Sequence, residues 1–257
     1  MRYFVLLFLL FNTAYLQAKA PFIDYEVVKI RPHDPSSFTQ GLEFYEGYLY
    51  EGTGLRGRSA LYKINITTGK PLNRYFLAKR FFGEGITLWK GKLFQLTWTS
   101  GQAIVYDAAS FKPEGIFKYE GEGWGLTHNE NHLIMSNGSD TLYFRNPQNF
   151  DINHTIKVTD GDEPVKLLNE LEWIKGKIWS NVWQTNKIAI INPQTGKIEK
   201  WLNLTALMDK AVKKAGRQPI NVLNGIAYVP SRDTVIVTGK LWPLLFEIKP
   251  IDKVVAP

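Results

Sequence analysis

The chain has 257 residues, no cysteine, 14% aromatic residues and a formal net charge of +7. Without cysteine it has no disulfide framework, no thiolate zinc site, no iron–sulfur cluster and no cysteine nucleophile. The positive balance shows no Lys/Arg cluster interleaved with aromatics, so it reads as solubility and loose affinity for anionic surfaces, and no nucleic-acid partner is expected.

Residues 1–20 read as a cleavable export signal. Arg2 supplies a positive start, Tyr3 to Leu10 is almost wholly apolar, and Ala18-Lys19-Ala20 meets the small-x-small cleavage rule. The apolar run is shorter than the roughly 20 residues that a membrane-spanning helix needs. The remaining chain is therefore expected to be exported, periplasmic or secreted, with no membrane anchor. Ile23–Arg31 reads as a strand ahead of the first repeat, and it is a candidate to complete the last repeat and close a ring.

From Phe38 onward one start recurs five times: Gln40-Gly41-Leu42, Glu84-Gly85-Ile86, Trp124-Gly125-Leu126, Asn169-Glu170-Leu171 and Asn224-Gly225-Ile226. Each start is followed by an apolar run, a turn and a second apolar run. The starts lie 44, 40, 45 and 55 residues apart. A period of about 40–50 residues built of strands and turns marks a β-propeller. The expected fold class is all-β: a single domain over residues 21–257, a five-bladed β-propeller with a short helical insertion before the last blade. A closed ring has no sheet edge to protect, so a monomer is expected.

Turn signals sit at matching offsets. Glu46-Gly47, Lys90-Gly91 and Lys175-Gly176 should close the first hairpin of three repeats, and Thr68-Gly69-Lys70 and Thr195-Gly196-Lys197 a later hairpin in two. Leu204, Leu207, Met208, Ala211 and Val212 have helical spacing with Gly216 as a stop, which predicts a packed surface helix over 204–215.

In a propeller the innermost strands converge on one axis. Gln40, Glu84, Trp124, Asn169 and Asn224 should therefore ring one mouth of the channel. Fourteen residues on, Glu84 leads to Trp98 and Asn169 to Trp183, while Gln40 leads to Gly54 and Trp124 to Gly138. In the last repeat the matching strand ends at Lys240. A carboxylate walled by indoles is desolvated, which raises its pKa and suits acid–base work near neutrality. From the residues alone, a structural ion pair between Glu84 and Lys240 is an equal reading, and the tryptophans also suit blade core.

Other chemistries find little support. His33, His128, His132 and His154 make no metal motif, and there is no nucleophile elbow, P-loop or dinucleotide fingerprint. Asp160-Gly161-Asp162-Glu163 lacks full calcium-loop spacing and reads as a solvated turn. Asn65, Asn137, Asn153 and Asn203 lie in Asn-x-Ser/Thr sequons, which matter only in a eukaryotic secretory pathway.

Phe38-Thr39-Gln40-Gly41-Leu42, Phe82-Gly83-Glu84-Gly85-Ile86-Thr87, Leu96-Thr97-Trp98, Gly123-Trp124-Gly125-Leu126-Thr127, Leu168-Asn169-Glu170-Leu171-Glu172 and Thr238-Gly239-Lys240-Leu241-Trp242-Pro243 resemble the plant- and bacterial-type glutaminyl cyclases. The resemblance covers the whole chain after the leader, with a motif in every repeat. It implies a five-bladed propeller that acts as a glutaminyl-peptide cyclotransferase. Such an enzyme converts the N-terminal glutamine of peptides or proteins to pyroglutamate and releases ammonia, by general acid/base catalysis without a required metal. Carried over by motif, Glu84 is the catalytic glutamate and Lys240 an active-site lysine able to steady an oxyanion. Gln40 and Asn169 are pocket amides, and Phe38, Trp98, Trp124 and Trp183 are aromatic walls. The family's plant member holds a calcium ion in its channel, yet no ligand set in this sequence calls for one. Asn224 rests on the repeat alone. The alternatives are a non-enzymatic exported propeller that binds peptide or carbohydrate through its Trp-lined mouth, and a protein-interaction scaffold. The first gives no reason for a carboxylate and a lysine to converge on that mouth, and the second expects a large exposed apolar patch in place of a buried polar pocket.

Overall fold

The computed structural model describes residues 18–255. The export signal expected over 1–20 lies almost wholly outside the described residues. The described chain is built of β-strands with one helix, Thr205–Ala215, and the strands form successive antiparallel sets. The first set is Thr39–Tyr45, Tyr48–Thr53, Ala60–Asn65 and Pro71–Phe76. The second is Gly83–Trp89, Lys92–Thr97, Gln102–Asp107 and Pro113–Lys118. The third is Leu126–His128, Leu133–Met135, Thr141–Arg145 and Ile152–Lys157.

The remaining long strands make one eight-stranded sheet with two halves. One half is Leu168–Ile174, Lys177–Val182, Lys187–Ile191 and Ile198–Asn203. The other is Leu223–Val229, Thr234–Gly239 and Leu244–Val255, with Phe22–Pro32 as its outer strand. The N-terminal strand pairs antiparallel with the C-terminal one from Phe22↔Val255 to Pro32↔Leu244. It thus completes the last set, as its position ahead of the first repeat implied. Parallel pairs Phe22↔Trp201 and Ile23↔Leu202 join the two halves.

The first strand of each set packs on the first strand of the next, and the last of these packs on the first. The arrangement is propeller-like, with the inner strands around a central channel. Hairpin chemistry follows the sequence. Glu46 and Gly47 (φ 50° and 84°), Lys90 and Gly91 (49° and 78°) and Lys175 and Gly176 (48° and 78°) place two successive residues at positive φ, the primed turn whose twist matches the flanking strands. Gly69 and Gly196 take φ of 68° and 73° in the later hairpin. Phe111 and Phe150 occupy the same place in two other sets at 60° and 66°, and each amide donates to the carbonyl four residues back. Both phenyl rings are buried in the core, and that burial offsets the left-handed strain.

Where the inner strands meet, their edges leave backbone N–H groups without a sheet partner. Glycines allow the approach: a Cβ on Gly41, Gly85 or Gly125 would collide with the backbone of Ile86, Leu126 or Asn169 respectively. In the fourth repeat the corresponding residue is Glu170. Its Oε1 accepts from the Leu42 amide (3.1 Å) and its Oε2 from the Ile226 amide (2.9 Å), so one carboxylate ties three inner strands together. Glu172 accepts from the Tyr228 amide (2.8 Å) and Glu43 from the Leu88 amide (2.6 Å). Burial pushes all three carboxyls up, Glu43 to about 8, while the donated hydrogen bonds pull the other way.

The helix Thr205–Ala215 buries Leu207 and Ala211 in the cluster that holds Trp242 and Phe246, so it is a packed surface helix. Replacing Glu170 with Leu removes the acceptor of two buried amides. At about 1–3 kcal/mol for each unsatisfied group, stability should fall by about 2–6 kcal/mol. Denaturant unfolding measures this; an unchanged midpoint would show that the carboxylate does not hold the ring.

Candidate active site

The inner strands deliver their repeated residue to the mouth by a shared device. The register shifts by one residue between Thr39 and Gly41, Gly83 and Ile86, Leu168 and Leu171, and Leu223 and Ile226. A β-bulge therefore falls on Gln40, Glu84, Asn169 and Asn224, and a bulge re-aims side chains at a sheet end. Trp124 precedes its strand and is held by its amide on the Ser136 carbonyl (3.0 Å).

The positions fourteen residues on, and Lys240 sixteen residues after Asn224, are tied back in the same way. The amides of Gly54, Trp98, Trp183 and Lys240 donate to the carbonyls of Phe38, Phe82, Leu167 and Val222 at 2.8, 3.0, 2.8 and 3.0 Å. Gly54 and Gly138 stand where other repeats carry Trp98 and Trp183. A Cβ on Gly54 would run into the Phe82 ring, and one on Gly138 would lie 2.7 Å from the Trp124 ring. Each glycine vacates room for a neighbouring aromatic wall.

The result is a cavity of about 300 Å³. Phe38, Gln40, Glu84, Trp98, Trp124, Asn169, Trp183 and Lys240 all line it, and Phe82 and Asn221 complete it. Phe82 meets Phe38 and Trp98 edge-on, with ring centroids 6.1 and 5.6 Å apart, and Trp124 meets Trp183 edge-on at 5.5 Å. Asn224 does not line the cavity, contrary to the expectation that all the repeated residues ring the mouth. It stands one layer behind. Its Nδ2 donates to the Thr39 carbonyl (3.0 Å) and to Gln40 Oε1 (3.3 Å), and Gln40 Nε2 donates to Glu84 Oε1 (2.9 Å). The bulged strand turns Asn224 onto its neighbour's backbone, so it braces Gln40.

Glu84 is the one carboxylate among the residues that line the cavity, and a second, Glu122, stands behind the indoles. Glu122 Oε2 accepts from both Trp98 Nε1 (2.7 Å) and Trp124 Nε1 (2.8 Å), which locks two walls together. Glu122 was findable: it sits two residues before its repeat start, as Phe38 and Phe82 do before theirs. Asn221 falls outside the repeat and carried no signal. Its amide bonds the Lys240 carbonyl (2.9 Å).

The electrostatics separate the two readings of Glu84. Among the described residues it has no ion pair within 4.0 Å. Burial raises its pKa well above the ordinary carboxylate value; Lys240 opposes this and Glu122 adds to it. Burial lowers Lys240 to about 8 against the pull of Glu84, and its ammonium lies 5.0 Å over the Phe38 ring. The two groups feel each other across the cavity without closing a salt bridge. Asn169 lines the cavity, and its Oδ1 is buried without a hydrogen-bond partner among the described residues. Behind Lys240, His33 Nδ1 donates to the Trp242 carbonyl (2.7 Å) while its Nε2 faces Glu51 (3.1 Å), and this buried pair fixes the loop after the lysine.

Both Glu170 oxygens are taken by amides, and no group of three or more His, Asp or Glu side chains converges as a metal site among the described residues. Asp160 is a structural acceptor, not a solvated turn residue: its carboxylate takes the Ala20 amide (2.6 Å) and Trp201 Nε1 (3.2 Å).

Glu122→Leu removes the one acceptor that both indole N–H groups share. The intrinsic Trp emission of the folded protein should shift, with stability falling by about 1–2 kcal/mol. An unchanged spectrum would mean that Glu122 does not hold the walls.

The chain is similar to known proteins. A family model described as glutamine cyclotransferase matches residues 3–250. A glutaminyl-peptide cyclotransferase from Arabidopsis thaliana is 40% identical over 227 residues, which is 87% of this chain and 70% of that one. The crystal structure of Myxococcus xanthus glutaminyl cyclase matches with a TM-score of 0.85 and 32% identity, covering 93% of this chain and 100% of the other. The chain belongs to the glutamine cyclotransferase family.

Proposed function

We propose that the chain is one five-bladed propeller domain, exported and monomeric, whose mouth cyclises N-terminal glutamine with Glu84 as acid and base. The cyclotransferase activity follows from family membership. The five-bladed form is supported by the strand sets and by the inner strands packing in succession round the channel. The observation that carries the mechanism is a buried carboxylate and a buried lysine that share one aromatic cavity without pairing.

In the reaction the α-amine nitrogen bonds to the γ-carboxamide carbon of the same residue as the carbonyl electron pair moves onto oxygen. Collapse of that oxyanion expels the amide nitrogen as ammonia. Ring closure is intramolecular, so little entropy is lost and proton traffic dominates. The amine must give up a proton and the departing nitrogen must gain one. Glu84 takes the first and returns it to the second. The Gln40 hydrogen bond holds the carboxylate in place, and the Asn224–Gln40 link holds the amide. Because both ends of Gln40 are engaged, it is a positioning residue. The Lys240 ammonium faces the developing oxyanion. Asn169 Oδ1 accepts an N–H of the glutamine, and Phe38, Trp98, Trp124 and Trp183 enclose its side chain and exclude water.

Glu84→Gln should fold normally and lose about 10²–10⁴-fold in kcat, read as ammonia released from a glutaminyl peptide. Near-normal turnover would rule out Glu84 as the proton carrier. The pH profile carries both groups. On the acid side kcat rises as Glu84 ionises, above the ordinary carboxylate range. On the alkaline side it falls above about pH 8 as Lys240 loses its proton. Lys240→Arg keeps its charge and should abolish the alkaline fall at a reduced rate. A fall that persists at the same pH in Lys240→Arg would assign it to another group.

A further inference from the structure

We propose that a second cavity beside the mouth is a subsite for the residues that follow the N-terminal glutamine, and that it selects acidic ones. This rests on the cyclotransferase reading of the neighbouring cavity. The second cavity has a volume of about 240 Å³; Ser36, Ser37, Arg58, Tyr62 and Phe76 line it, and it shares Phe38 with the reaction cavity. A peptide whose first side chain lies among Phe38, Trp98 and Trp124 has this cavity within one or two residues, at roughly 3.3 Å per residue.

Basic residues gather on one stretch of the mouth. Strand direction places the loops 54–59 and 77–82 at the mouth end of the first set, and they carry Arg56, Arg58, Lys79 and Arg80. No acidic residue occurs between Glu51 and Glu84. The Arg56 guanidinium lies 5.9 Å over the Trp98 ring, and is held by Nη2 on Thr99 Oγ1 (2.9 Å) and Nε on the Arg80 carbonyl (3.3 Å). Neither Arg56 nor Arg58 pairs with a carboxylate among the described residues. Asp34, the acid near Ser36, is occupied by the Ser36 amide and hydroxyl.

The mouth segments 119–125 and 158–167 carry Glu120, Glu122, Asp160, Asp162 and Glu163 together with Lys166, and Glu122 reaches back to Trp98, the ring beneath Arg56. The substrate brings one obligatory cation, its α-ammonium. That charge is drawn toward Glu84, and the following residues then pass over Phe38, which both cavities share, toward Arg58. Carboxylate side chains there meet the Arg58 guanidinium, with Arg56 held in place beside Trp98, and carboxylate is the partner to which arginine is best matched. Lysine side chains meet like charge.

The test compares kcat/KM for ammonia release from Gln-Ala-Ala-Ala, Gln-Glu-Glu-Ala and Gln-Lys-Lys-Ala amides. The acidic peptide should exceed the neutral one by about 3- to 10-fold and the basic one should fall below it, a spread that 0.5 M NaCl should largely erase. The ratio should collapse toward one in Arg56→Gln/Arg58→Gln and invert in Arg58→Glu. Lys70→Gln/Lys112→Gln removes the same charge from turns at the far end of the sheets and should leave the ratio intact. Equal kcat/KM for the three peptides overturns the subsite while the cyclotransferase stands. An equal loss of preference in the Lys70/Lys112 control also overturns it, because net charge would then be the cause. Turnover of none of the peptides overturns the cyclotransferase reading and the subsite with it.

Discussion

Inner strand edges meet around a channel, and the amides on those edges have no sheet partner. A buried N–H without an acceptor costs as much as a lost hydrogen bond, so polar side chains must enter the axis. Glu43, Glu170 and Glu172 meet that demand within the channel, as Asn181 does by taking the Gly225 amide (2.9 Å) and Ser136 by taking the Gly125 amide (2.7 Å). The mouth obeys the same rule. Asn224 satisfies the Thr39 carbonyl and passes its remaining reach to Gln40, and Gln40 passes it to Glu84. The reactive carboxylate is thus the end member of a scaffold network. Its orientation is a by-product of closing the ring.

The same geometry explains why Glu84 stays free. Rings fill the space around it on two sides, and those rings stay upright because glycines at 54 and 138 yield to them and Glu122 grips two indoles. Lys240 enters from another strand set and rests on Phe38. A closed salt bridge here would settle both charges and remove the carboxylate's basicity. Held apart in an aromatic-walled cavity, each is displaced toward neutrality by burial and only partly restored by the other. A carboxylate displaced upward can both take and return a proton near neutral pH.

Much of this was legible in the sequence because repetition turns position into information. The spacing of the starts located the inner strands, the fourteen-residue offset located Trp98 and Trp183, and the Glu-Gly and Lys-Gly pairs marked turns with two left-handed residues. What escaped did so for physical reasons. Asn224 shares the repeated slot, but a bulge decides where such a side chain points, and no pattern of residue types reveals that. Phe111 and Phe150 hide turns because a phenyl ring in a left-handed conformation is tolerated only when the core pays for it. Glu122 reads as part of a glycine-rich loop until its distance from Trp124 is compared with that of Phe38 from Gln40 and Phe82 from Glu84. Asn221 follows the inserted helix, where the period is broken.

The central claim is that Glu84 carries the proton because its cavity holds its pKa high. The most direct measurement is the titration of Glu84 itself, by infrared difference spectroscopy of its carboxyl band, with Glu84→Gln identifying the band. The account predicts a midpoint well above the ordinary carboxylate range of about 4.3, coinciding with the acid limb of kcat. A Glu84 that titrates near the ordinary value, or whose midpoint departs from that limb, would contradict it.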